Sequence, residues 1–163
     1  MKNGESISAS VSLPRFIVFG ALKSMVKRLR MCGVDCAYNG GLSLPNTILA
    51  AISDERILLT TVPVADTFRL KVVLISESHP DSQFKHILKL FPSILEGEAL
   101  STCLVCNYRL ENYQIGTSPA DIPPSVLDRQ LPLRRCPKCA RIYWDGSHTE
   151  RMRQLIKNLI ESH

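Results

Sequence analysis

From Arg15 to about Phe91, apolar residues recur at two alternating spacings, and each spacing predicts its element. Arg15 to Phe19 (RFIVF) is a short continuous apolar run, the mark of a buried strand. Leu22, Met25, Val26, Leu29 and Cys32 follow at helical spacing, and Gly33 supplies a C-terminal stop. Asp35 to Tyr38 predicts a second strand, closed by Asn39-Gly40-Gly41, and a helix is expected from Ser43 with Pro45 in its first turn. RILLTT (Arg56 to Thr61) and KVVLIS (Lys71 to Ser76) are the third and fourth strands, joined by a short helix or turn around Pro63 to Arg69. Ser78 and Pro80 then open a helix whose apolar face is Phe84, Ile87, Leu88 and Phe91. Such alternation predicts an α/β domain of three layers around a parallel sheet. Right-handed crossovers would gather the strand C-termini on one edge, where α/β proteins assemble their sites.

The pattern changes near residue 96. Pro119, Pro123, Pro124 and Pro132 punctuate an irregular stretch, and only Met152, Leu155, Ile156 and Leu159 resume helical spacing, after the capping-box sequence Ser147-His148-Thr149-Glu150. The expected organisation is a flexible tail over 1–14, an α/β domain over 15–95, and a zinc-ribbon module with a C-terminal helix over 96–163.

Composition narrows the class. The 163 residues are 45% hydrophobic and 21% charged, as in a globular chain, and no run approaches the ~18 to 20 apolar residues of a membrane span. Net charge is +5; residues 1–95 carry eleven basic against seven acidic side chains (+4) and residues 96–163 nine against eight (+1). That excess suits a polyanionic partner. Residues 1–14 lack the apolar core of a secretory signal and make a poor organellar presequence, so an intracellular, reducing compartment is expected, mitochondrial or cytoplasmic.

The six cysteines are not spaced as a disulfide ladder. Cys103-Leu104-Val105-Cys106 and Cys136-Pro137-Lys138-Cys139 are two CxxC pairs, each able to form a knuckle, and together they complete a tetrahedral Zn²⁺ shell. The 29 residues between the pairs exceed the ~15 to 20 of the commonest ribbon spacing, but loop length costs entropy only logarithmically. Four thiolates leave no open coordination position, so one structural zinc is expected. Neither pair stands at the strand-to-helix turn of a redox dithiol. Cys32 and Cys36 read as small core residues.

A phosphodiesterase using Mg²⁺ would need three or four carboxylates at the strand C-termini, because a hard cation takes oxygen ligands. Those ends are Phe19, Tyr38-Asn39, Thr61-Val62 and Ser76-Glu77, of which only Glu77 is acidic. No glycine-rich phosphate loop, GxSxG elbow or suitably placed histidine is present. His79 and His86 fall at a helix entrance and on its polar face, His163 is terminal, and His148 follows Trp144-Asp145-Gly146-Ser147, where capping, packing and RNA contact are all open to it.

RFIVFGALKSMVKRLRMCGVD (Arg15 to Asp35), RILLTT (Arg56 to Thr61), the CLVC and CPKC pairs and ARIYWDGSHTERM (Ala140 to Met152) together resemble the Mut-seven C-terminal RNase family over nearly the whole chain. The resemblance implies a PIN-like nuclease fold, a C-terminal zinc ribbon and an ancestral metal-dependent endoribonuclease. The sequence departs from the family where the metal would sit. Phe19 stands in place of an aspartate after the first strand, Thr61 and Val62 in place of the arginine and aspartate after LLT, and Asn39-Gly40-Gly41 forms the turn after the second strand. No catalytic residue and no Mg²⁺ are expected, and the chain reads as a pseudoenzyme.

What remains suits RNA. Lys23, Lys27, Arg28 and Arg30 are expected to form one basic helix face. Arg129, Arg134, Arg135, Lys138 and Arg141 form a second cluster, with no acidic residue between Gln130 and Trp144. Tyr143 and Trp144 could stack on an unpaired base, with His148 beside them. The expected role is an RNA-binding structural subunit among the proteins of a ribonucleoprotein, such as a mitochondrial ribosome or an RNA-processing complex. Two other readings stand beside it. One is an active endoribonuclease that recruits Glu77, Asp35 and Asp66; the other is a protein-interaction module docking through Phe19 and Val62.

Overall fold

Phe16–Phe19 forms β1, from which the first sheet is laid out in both directions. The computed structural model describes residues 12–114 and 122–161. The tail expected at 1–14 therefore lies almost wholly outside the described residues, as does His163. β2 (Cys36–Tyr38) and β3 (Ile57–Thr60) flank β1, and β4 (Val72–Leu74) lies outside β3, giving an all-parallel order β2-β1-β3-β4. Phe16 registers with Cys36 on one side and Ile57 on the other.

Strand alternation explains the layers. Phe16, Val18 and Leu59 join one buried cluster with Leu22, which caps α1 (Lys23–Met31), with Met25 and Leu29 of that helix, and with Phe84 and Ile87 of α3 (Pro80–Leu90). Ile17 and Leu58 point the other way, onto Ala51 of α2 (Leu44–Ser53). The connection from β2 to β3 steps back across β1, and a right-handed crossover then requires α2 on the opposite face from α1. Each fully buried large apolar side chain contributes roughly 1.5–3 kcal/mol, so these two clusters hold the domain.

The helix ends follow local chemistry. Ser43 Oγ accepts the Asn46 N–H at 3.4 Å, with Pro45 in the first turn. The cap of α3 is His79 rather than Ser78, because its Nδ1 accepts the Asp81 N–H at 3.3 Å. Gly33, at φ 79°, ends α1, and a Cβ there would stand 2.3 Å from the Glu98 carbonyl oxygen. Between β3 and β4 there is a turn and no helix: Thr67 Oγ1 accepts the N–H groups of Arg69 and Leu70, leaving Phe68 98% exposed at the tip.

Beyond a 3-10 turn at Pro92–Glu96, a second sheet forms from β5 (Glu111–Tyr113), β6 (Leu133–Arg135) and β7 (Ile142–Trp144), antiparallel in that order. A single-turn helix, α4 (Pro124–Asp128), precedes β6. The final helix, α5 (Ser147–Glu161), returns to the first domain, and Met152, Ile156 and Leu159 pack on the cluster built by α1 and α3. Among the described residues no helix is long and apolar enough to cross a membrane.

Candidate metal centre and nucleic-acid interface

The two CxxC segments fold alike. In the first, Cys103 N–H bonds the Tyr108 carbonyl and Asn107 N–H the Cys103 carbonyl, at 2.8 and 3.0 Å; in the second, Cys136 N–H bonds Arg141 and Ala140 N–H bonds Cys136, both at 2.9 Å. The residue after each second cysteine turns left-handed, Asn107 at φ 63° and Ala140 at φ 59°. This reversal brings all four Sγ atoms within 4.8 Å of one another. Zinc bound to thiolates at about 2.3 Å in a tetrahedron needs sulfurs about 3.8 Å apart, and Cys103 Sγ lies 3.8 Å from Cys139 Sγ. The donor set and its spacing thus fit a tetrahedral zinc.

Electrostatics favour a cation between them. Burial opposes a thiolate at Cys103, but the Tyr143 hydroxyl at 3.2 Å and the N–H groups of Cys106 and Val105 outweigh it and lower this pKa. Desolvation and the neighbouring sulfurs push Cys106 up. Four thiols at this separation cannot all ionise unless a positive charge sits among them. Cys32 and Cys36 lie elsewhere, buried in the main core with burial pushing each up to about 12, as expected of small core residues.

The first knuckle is clamped to the α/β domain. Buried Arg30 donates through Nε to the Cys36 carbonyl and through Nη1 to the Leu104 and Val105 carbonyls, at 2.8–2.9 Å. Asn107 Oδ1 accepts the Cys36 N–H at 2.9 Å, and its Nδ2 donates to Asp35 at 2.5 Å. One signal of this role is present in the sequence, the position of Asn107 directly after the second cysteine, where the knuckle needs a left-handed residue. Arg30 carries no such signal, because the knuckle carbonyls it serves, Leu104 and Val105, lie more than 70 residues away.

The basic face expected on α1 is therefore divided. Arg28 donates to the Pro80 carbonyl at 2.9 Å and to Asp81 at 2.5 Å, and its guanidinium lies over the Phe84 ring. Arg28 and Arg30 thus face protein rather than solvent, while Lys23 and Lys27 are exposed. The ribbon cluster is divided too. Arg134 binds Glu98 and the Leu100 carbonyl, whereas Arg129, Arg135, Lys138 and Arg141 are exposed, Arg135 lying over the Tyr113 ring and Lys138 over that of Tyr108.

Lys23, Lys27 and Arg141 converge on a cavity of about 460 Å³ between α1 and the ribbon, with Tyr38 and Tyr143 in its walls. Trp144 and His148 line a second cavity of about 470 Å³, together with Lys27 and Tyr143. Tyr38, which ends β2, reads from the sequence as a strand residue only, and its place in the cavity wall becomes visible in three dimensions.

At the C-terminal edge of the parallel sheet, the loops after β1 and β3 touch. A Cβ on Gly20, which has φ 97°, would stand 2.5 Å from Thr61 Oγ1. Phe19 and Thr61-Val62 therefore stand next to one another where the resemblance leads one to look for acids. Glu77, past the end of β4, is bonded to His86 Nδ1 at 2.7 Å. Asp35 precedes β2 at the opposite edge, held by Arg15, Arg56 and Asn107. Asp66 accepts the Val72 N–H at 3.2 Å. Glu77 and Asp35 thus lie at opposite ends of the sheet. Among the described residues, the four cysteines are the one group of three or more His, Cys, Asp and Glu side chains close enough to share a metal.

A family model described as the Mut7-C RNAse domain matches residues 14–156. No curated protein and no solved structure matches the chain.

Proposed function

This chain belongs to the Mut7-C RNAse domain family, and from that premise we propose that it is a catalytically silent member acting as an RNA-binding structural subunit of a ribonucleoprotein. Membership ties the chain to RNA. The observation that carries the silent reading is the pair of touching loops at the sheet edge, where Phe19, Thr61 and Val62 offer no carboxylate to a hard cation. The commitment of Asp35 to two arginines supports it, since a carboxylate so paired is a poor recruit for a replacement site. A scaffold can outlive its chemistry as an architectural part.

In this reading Cys103, Cys106, Cys136 and Cys139 hold one structural Zn²⁺, whose contribution is to cross-link the two knuckles. Lys23, Lys27 and Arg141 hold phosphates, and Tyr143 and Trp144 face bases. The host particle is a ribosome or an RNA-processing complex, with other protein subunits around it, in mitochondria or cytoplasm.

The test is to incubate the purified zinc-loaded chain with RNA and Mg²⁺ or Mn²⁺, and to sequence the RNA that accompanies it from cells. Intact RNA that binds at low salt, together with recovery of a defined particle, is the expected result. Metal-dependent cleavage abolished by Glu77→Gln would replace this reading with that of an active endoribonuclease.

A further inference from the structure

The two cavities beside α1 are neighbours, sharing Lys27, Leu104 and Tyr143 as lining, and no acidic side chain lines either of them. Their chemistry differs. The first adds cations to a largely apolar wall: Lys23, Lys27 and Arg141 are exposed and make no ion pair among the described residues, so their charges are available to a ligand. The second is walled mainly by apolar groups, including Met31, Leu104, Ile142 and the Trp144 indole, and its volume falls in the range of sites that enclose small flat molecules. Trp144 is held in place, packed on the cluster of Ile122, Val126 and Leu133. Gly146 leaves room for it, since a Cβ there would stand 3.0 Å from the indole Cδ1.

A run of cations leading to an apolar, aromatic-walled recess matches a nucleotide chain whose phosphates are exposed and one of whose bases is unstacked. In a duplex the base faces are covered and cannot reach an aromatic wall. The geometry points to a site for single-stranded RNA in which phosphates run past Lys23, Lys27 and Arg141 and one unpaired base enters the recess beside Trp144. This rests on the RNA-binding reading above and adds to it the strandedness of the ligand and the place of the base.

Trp144 is the one tryptophan in the chain, so its emission reports on the recess directly. The zinc-loaded full chain is titrated with a single-stranded RNA of about twelve nucleotides, a length in the range of single-strand site sizes. The same is done with the blunt duplex, an abasic strand of equal length, and poly-glutamate. The single strand should quench Trp144, the abasic strand should bind with little change in emission, and the duplex should bind about tenfold more weakly. Lys27→Glu with Arg141→Glu should weaken single-strand binding at least tenfold. With two phosphates no longer neutralised, the slope of log affinity on log salt should fall by about 1.4. Both side chains are exposed and unpaired, and unchanged zinc content certifies the fold of the variant. Single-strand binding with unchanged emission and no effect of the double variant would overturn this site while leaving RNA binding intact. Equal binding of duplex would also overturn it. Equal quenching by poly-glutamate would assign the surface to an acidic protein instead, and failure of every RNA to bind would remove both readings.

Discussion

Asn107, one residue beyond the first knuckle, donates its side-chain N–H to the Asp35 carboxylate at 2.5 Å, across 72 positions of sequence. The same amide accepts the Cys36 N–H, so one side chain closes the start of β2 against the metal-binding segment. Arg30 completes the joint from the helix side with bonds to three carbonyls.

Replacing Arg30 with methionine keeps most of its volume and removes the donors that serve Cys36, Leu104 and Val105. Buried acceptors left unpaired cost about 1–3 kcal/mol, so the variant should unfold at lower urea with a loss of about 2–3 kcal/mol. Urea titration followed by circular dichroism measures this. A loss below about 0.5 kcal/mol, the range of ordinary surface substitutions, would mean that the clamp is not structural.

Cys136→Ser removes one of four sulfurs. Zinc content per chain should fall to near zero, and amide exchange should rise across β5 to β7 while the parallel sheet stays protected, because metal binding supplies most of the folding free energy of so small a ribbon. Mass spectrometry of the native protein and hydrogen exchange report the two effects. Full retention of zinc would rule out the four-cysteine site.

Asp35 sets a pH dependence. Burial raises its pKa, but the hydrogen bonds from Arg56, Asn107 and Arg15 outweigh that and leave it below the ordinary aspartate value. A depressed carboxyl contributes stability that is fully present above its unfolded pKa of about 3.9 and is lost as pH falls through the folded value. Asp35→Asn should therefore cost about 1 kcal/mol near neutrality, discounted because the carboxylate is more than a third exposed, and progressively less below about pH 4. Denaturation at a series of pH values checks it; a constant difference down to the acid limit would contradict the linkage.

Thiol labelling separates the two classes of cysteine. Cys32 and Cys36, pushed up to about 12 by burial, should remain unmodified by iodoacetamide at pH 8 in the folded chain. Adding a chelator should expose Cys103, Cys106, Cys136 and Cys139 first. Peptide mapping identifies the alkylated positions, and early labelling of Cys32 would show that its environment opens readily.

Local patterns carry most of the fold into view. Leu22, Met25, Val26 and Leu29 predict α1 by spacing alone, and the paired CxxC segments predict the metal cluster, since each knuckle is built within a few residues. The partners of the charged residues are not legible. Arg28 and Arg30 read as a solvated face because basic side chains on a helix usually are, and only the approach of Asp81 and Leu104 in three dimensions turns them inward. The same holds for the recess beside Trp144, whose walls come from α1, the first knuckle and β7. Helix periodicity places Met25 and Leu29 in the core but does not reveal that a ribbon strand stands beside Met31.

Lys23 and Lys27 ride on a helix fixed by the main core, whereas Arg141 lies two residues after Cys139 and the Tyr143 hydroxyl is hydrogen-bonded to the sulfur of Cys103. One bank of the proposed RNA groove therefore rides on the α/β domain, and the other is built on the segment that the four cysteines would anchor to a metal. If both proposals hold, loss of the metal would leave the sheet and its two lysines in place while releasing the bank that carries Arg141, so RNA binding would follow the metal supply. A chelator titration in which RNA release and zinc release share one midpoint would display that dependence.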